Sequence, residues 1–80
     1  MSPETRRRVL KAGRIAFHGG RSAIDCTVRS LSETSASLNV ITTAGIPDSF
    51  KLRIEADNFS RACRITEKKD RHLEVEFQTD

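Results

Sequence analysis

Arg6, Arg7 and Arg8 stand in a row, and Lys11 follows on the same segment. Guanidinium forks match phosphate oxygens through paired hydrogen bonds, so this cluster has the chemistry of a phosphate clamp. A second group of candidates is the hydroxyl series Ser30, Ser32 and Ser35, spaced along a connector rich in Ser and Thr between two apolar runs. Each hydroxyl can donate one hydrogen bond and accept others. Together a cation cluster and a hydroxyl-lined bend describe a site for a polar, anionic ligand.

The remaining reactive residue types point away from catalysis. His18 sits beside Gly19-Gly20 and His72 follows a charged connector, so both read as exposed turn residues without a nucleophile or carboxylate partner evident in the sequence. Cys26 and Cys63 fall at the parity of apolar neighbours and form no C-x-x-C pair, which predicts two buried free thiols of a reducing compartment. Apolar burial disfavours the thiolate, so neither is expected to be a nucleophile. The sequence holds no metal-ligand cluster and no glycine-rich phosphate loop leading into a helix. A non-catalytic protein without metal or cofactor is expected.

Eighty residues with a net charge of +3 describe one small domain whose cations are scattered apart from the arginine cluster. The start Met-Ser-Pro-Glu-Thr lacks the apolar core of a signal peptide, and no apolar run approaches the length of a bilayer-spanning helix. A cytoplasmic location without membrane insertion is the resulting expectation.

Holding the candidates in place falls to a series of alternating runs. Residues 1–8, with Pro3, Glu4 and no apolar spacing, are expected to form a flexible basic arm, and residues 9–80 the folded domain. Between Val9 and His18 the pattern is mixed, and only its second half, from Arg14 to Phe17, reads as a strand. His18-Gly19-Gly20-Arg21 supplies a tight turn. The second strand, Ala23 to Leu31, buries Ile24, Cys26 and Val28; the third, Ala36 to Thr42, buries Ala36, Leu38 and Val40. Phe50, Leu52 and Ile54 mark the fourth strand, Phe59, Cys63 and Ile65 the fifth, and Leu73, Val75 and Phe77 the sixth. Six short strands with frequent turns and no helical periodicity predict an all-β fold, and closure into a six-stranded antiparallel barrel removes the open edges.

At the connector, Val28-Arg-Ser-Leu-Ser-Glu-Thr-Ser-Ala-Ser-Leu38 resembles the second motif of PilZ domains: Asp or Asn, any residue, Ser, any two residues, Gly, a small residue and an apolar one. The closing Leu73-Glu74-Val75-Glu76-Phe77 is similar to the family's Gly-Val-x-Phe ending, with Glu74 at the Gly position. The resemblance covers nearly the whole chain. It implies a six-stranded antiparallel barrel of bacterial origin and, in many members, binding of the second messenger cyclic di-GMP. Many members also carry a helix after the last strand, for which this sequence has no room before Asp80.

The same resemblance implies roles for the candidates. In the family an Arg-x-x-x-Arg arm grips phosphates and guanines, while the Asp or Asn and the Ser of the second motif bind a guanine edge and a phosphate. Carried over, the ligand contacts are Arg6, Arg7, Arg8 and Lys11 on the arm and Ser30, Ser32 and Ser35 on the loop. The pattern is altered in several places. Either Glu4 precedes Arg8 or Lys11 follows Arg7, Ser30 replaces the Asp or Asn, and Ser35 replaces Gly. A Ser35 forced to positive φ costs on the order of 1 kcal/mol, or the turn takes another form. Two other classes stay open: a module that docks a protein partner without a ligand, and a nucleic-acid-binding barrel. The second is disfavoured, because all four Phe residues lie at core parity or end apolar runs and Tyr and Trp are absent, which removes the platforms for base stacking.

Overall fold

Alternation decides which residues the fold buries. Cys26 and Val28, then Ala36, Leu38 and Val40, then Phe50, Leu52 and Ile54, then Leu73, Val75 and Phe77 all enter one core, joined by Ile15 and Cys63. Each fully buried aliphatic side chain stabilises the fold by about 1.5–3 kcal/mol, so this single layer carries most of the driving force. The computed structural model describes residues 7–78.

Six antiparallel strands close into a barrel: β1 (Arg7–Phe17), β2 (Ser22–Leu31), β3 (Ser35–Asn39), β4 (Ser49–Ile54), β5 (Phe59–Lys69) and β6 (His72–Phe77). Around the wall the order is β1-β2-β3-β6-β5-β4, and β4 returns to β1. A single 3₁₀ turn, Glu55–Asp57, is the one helical element among the described residues. It ends at Asn58 in the left-handed region, with φ 52°. The all-β barrel predicted from the alternating runs is therefore the fold.

Strand lengths differ from the sequence expectation for a definite reason. β1 begins at Arg7 rather than Arg14, so Arg7 and Arg8 belong to the barrel wall and not to a flexible arm. A bulge between Arg8 and Lys11 breaks the two-residue alternation there, which is why the first half reads as irregular. β5 likewise runs on to Lys69 through a bulge between Ile65 and Glu67. β3 is shorter than expected and stops at Asn39. Beyond it the Val40 N–H donates to the Arg71 carbonyl at 3.0 Å, and the loop folds Ile46 into the core at 3% exposure.

Glycine matters at two places. His18, Gly19 and Gly20 all have positive φ, which carries β1 into β2 in a tight turn closed by Gly20 N–H to Phe17 O at 3.1 Å. At Gly13, a side chain would meet Cys26 Sγ and Val28 Cγ2 at 3.1 Å and the Arg53 carbonyl at 3.3 Å, so its absence lets β1 lie close to both neighbours at the closing seam.

Cys26 and Cys63 are buried free thiols, as their parity predicts. Burial pushes both from 9.0 up to about 11, with Asp25 adding a smaller push at Cys26. The folded chain thus holds these protons where the unfolded chain has lost them. Their contribution to stability is complete below pH 9.0 and gone above about 11. Urea midpoints are expected to fall more steeply between those limits for the native protein than for a Cys26→Ala/Cys63→Ala variant. Equal slopes would remove the thiols from the account.

Candidate functional site

Three bulges lie at one level of the wall. An extra residue is accommodated in β1 between Arg8 and Lys11, in β2 between Val28 and Ser30, and in β5 between Ile65 and Glu67. Bulges bend a strand and re-aim its side chains, and they recur beside binding sites. Cross-strand register then sets two rows of residues on the outer face, polar except for Ala12. One runs Arg8, Ser30, Ser37, Glu74 from β1 to β6; the next runs Ala12, Thr27, Asn39, His72.

A cleft of about 560 Å³ lies over these rows, lined by Arg8, Val9, Leu10, Arg29, Ser30, Ser37, Asn39 and His72. Its charge is unbalanced at one end. Among the described residues Arg8 and Arg29 have no ion-pair partner, whereas Lys11, Arg14, Arg64 and Lys69 are each paired with a carboxylate. Two unneutralised guanidinium groups on neighbouring strands make the natural seat for phosphate.

The serines divide. Ser30 pairs with Arg8 across β1 and β2 and lines the cleft. Ser32 instead builds its own turn: its hydroxyl accepts from the N–H of Thr34 at 3.2 Å and of Ser35 at 3.0 Å, while its own N–H donates to Ser35 O at 2.9 Å. The Ser32 and Ser35 hydroxyls also meet at 3.1 Å. Ser35 begins β3 without positive φ, so the connector adopts a hydroxyl-closed turn in place of one that needs glycine. Arg61 braces this turn from β5, donating to Glu33 O at 3.4 Å while stacking 5.3 Å from the centre of the Phe77 ring. Neither Ser32 nor Ser35 lines the cleft.

The basic cluster divides as well. Arg8 enters the cleft, Arg7 stands opposite Leu31 and is not among its lining, and Arg6 lies outside the described residues. Lys11 is drawn to the other side of β1, where its ammonium pairs with Asp57 of the 3₁₀ turn. No Arg-x-x-x-Lys clamp spanning Arg7 and Lys11 is assembled over the cleft.

Sequence reasoning missed the polar network beside Ser30. The Ser37 hydroxyl donates to Glu74 Oε2 at 2.5 Å, and His72 Nε2 donates to the same oxygen at 2.6 Å. His72 Nδ1 lies 2.9 Å from Asn39 Oδ1. His72 is therefore a half-buried member of β6 with a carboxylate partner, not an exposed turn residue. Ser37 and Asn39 occupy the outward positions between Ala36, Leu38 and Val40, which alternation alone marks as surface. Finding their partners requires knowing that β3 pairs with β6.

No protein-family model and no curated protein matches this chain. The chemistry of the cleft therefore rests on its own residues: two cations for an anion, hydroxyls along the floor, and a braced amide at the far end. A groove of this size has room for a polar small molecule. Cys26 and Cys63, buried beneath the same wall, have no part in it.

Proposed function

We propose that the protein is a PilZ-type module that binds a cyclic dinucleotide on the outer face of β1, β2 and β3, with cyclic di-GMP the ligand, and acts without catalysis in bacterial second-messenger signalling in the cytoplasm. The observation that carries this reading is the Arg8 to Ser30 cross-strand pair, which brings one arginine of the basic cluster and the first position of the altered second motif into one cleft together with Arg29. In this form of the site Arg8 and Arg29 hold phosphate and Ser30 donates to it, while Ser32 and Ser35 shape the turn. Lys11 is left out.

The test is a titration with cyclic di-GMP followed by amide chemical shifts. Shifts are expected at Arg8, Arg29, Ser30 and Ser37, with β4 and the Ser60–Arg64 part of β5 silent. No shift at millimolar ligand, or shifts confined to β4 and β5, would overturn the reading. In that event the alternative is a ligand-independent docking module for a protein partner. The specific support for it is Leu10, 75% exposed on the cleft rim, and Ile41, 87% exposed beyond β3.

A further inference from the structure

We infer that the cleft binds its anionic ligand together with a proton, which His72 takes up and which turns the N–H end of the Asn39 amide toward the ligand; this rests on the cyclic dinucleotide reading above. His72 and Asn39 line the same cleft as Arg8 and Arg29. Register is what brings them there: Asn39 pairs with His72 across β3 and β6, one row from Ser37 and Glu74.

The ring has two states, and each makes its own demand on the amide. Glu74 Oε2 lies 2.6 Å from Nε2, and an ionised carboxylate only accepts, so the single proton of the neutral ring sits on Nε2. Nδ1 then carries a lone pair. The Asn39 amide, one end of which lies 2.9 Å from Nδ1, meets that lone pair with its Nδ2 end and leaves Oδ1 toward the cleft. A second proton enters at Nδ1 and reverses the demand. The amide makes a half-turn, Oδ1 accepts from Nδ1, and the Nδ2 N–H groups take its place at the cleft. No buried side-chain polar atom among the described residues lacks a partner, so the far end of the amide is open rather than enclosed.

Charge works in the same direction. The charged groups around the ring are Glu74 on β6, Lys69 opposite His72 on β5 with Glu67 as its ion-pair partner, Arg71 next in the chain, and Arg8 and Arg29 in the cleft. From β3 come only the uncharged Ser37 and Asn39. Glu74 attracts the second proton and the cations oppose it. A phosphate held by Arg8 and Arg29 cancels their opposition and itself attracts the imidazolium. With the ring protonated, the ligand meets one more positive charge and one more N–H donor; with the ring neutral, it meets a carbonyl oxygen that repels phosphate oxygens. Such coupling is reciprocal, so the proton strengthens ligand binding by the factor by which the ligand strengthens proton binding. Affinity therefore rises as pH falls through the range in which imidazoles change charge.

The experiment is calorimetry with cyclic di-GMP at about pH 6 and about pH 8 and one ionic strength, limits that keep carboxylates ionised while imidazoles titrate. The native protein is expected to bind at least about threefold more tightly at the lower pH. Titrations near neutral pH in two buffers of different ionisation enthalpy are expected to show net proton uptake on binding. His72→Gln cannot take the proton, and its affinity is expected to be the same at both pH values within about 1.5-fold. His18→Gln, in the turn at the other end of β1 from Arg8, is expected to keep the native ratio. Asn39→Ala keeps the titrating ring and loses the turning amide, so its ratio is expected to fall between those of the native protein and His72→Gln; a native ratio there would overturn the part given to the amide. Leu38 and Val75 amide shifts check the folding of each variant. Binding to the native protein without proton uptake, or equal pH dependence in the native protein and His72→Gln, would overturn the inference and leave the dinucleotide site standing. Binding at neither pH would overturn both.

Discussion

Arg8→Ala is expected to weaken cyclic di-GMP binding by at least about tenfold, while Lys11→Ala leaves it within about threefold. A hydrogen bond to a charged group contributes about 1.5–3 kcal/mol, and about 1.4 kcal/mol is a factor of ten in affinity, so losing one guanidinium fork from a phosphate accounts for the larger effect. Both residues belong to the same basic stretch and both are exposed or nearly so, which makes the contrast informative. Arg8 lines the cleft opposite Ser30, whereas Lys11 is spent on Asp57 across the barrel seam. That pair is about one-third exposed on each side, so its loss costs at most about 1 kcal/mol of stability. Calorimetry on the two variants checks the point. An equal loss in both would mean that diffuse positive charge, rather than the cleft, attracts the ligand.

The barrel was legible because its inward positions alternate cleanly over Phe50 to Ile54 and Leu73 to Phe77, and such runs can bury only one face. The first half of β1 was not, because the bulge between Arg8 and Lys11 removes the alternation on which a strand is recognised. Strand order was hidden for another reason. β3 pairs with β6, placing Ser37 against Glu74 and Asn39 against His72 across more than thirty residues of chain, and local patterns carry no information about such distant neighbours. The candidate site was therefore half visible. Arg8 and Ser30 stood out by type and spacing, while Arg29, Asn39 and His72 joined them only through register. Glu74 is the instructive case. Read against the PilZ pattern it is a departure from glycine, yet in the fold its carboxylate is the shared acceptor that orders Ser37 and His72.

Leu52→Ala is expected to lower stability by about 2–5 kcal/mol, a large part of the ~4–12 kcal/mol that a domain of this length possesses. Leu52 is fully buried at the seam that closes the barrel: β4 pairs with β1 at Arg14, Ile15 and Ala16, with Ile15 opposite Leu52 itself. A cavity there opens the seam, and an open seam exposes strand edges. Leu10→Ala, at a residue 75% exposed, is expected to stay within about 0.5 kcal/mol. Urea denaturation separates the two. The seam and the cleft lie on different parts of the wall, so Leu52→Ala should fold less often but bind normally once folded. Saturating cyclic di-GMP should then raise its urea midpoint, because a ligand that binds only the native state stabilises it in proportion to the logarithm of its concentration over Kd. The same ligand concentration should stabilise Arg8→Ala less, by about 1.4 kcal/mol for each tenfold loss of affinity, because its fold is sound but its cleft has lost one of two cations. A Leu52→Ala protein that ligand cannot rescue, beside an Arg8→Ala protein that it stabilises as much as the native protein, would reverse the assignment of which residue holds the barrel and which holds the nucleotide.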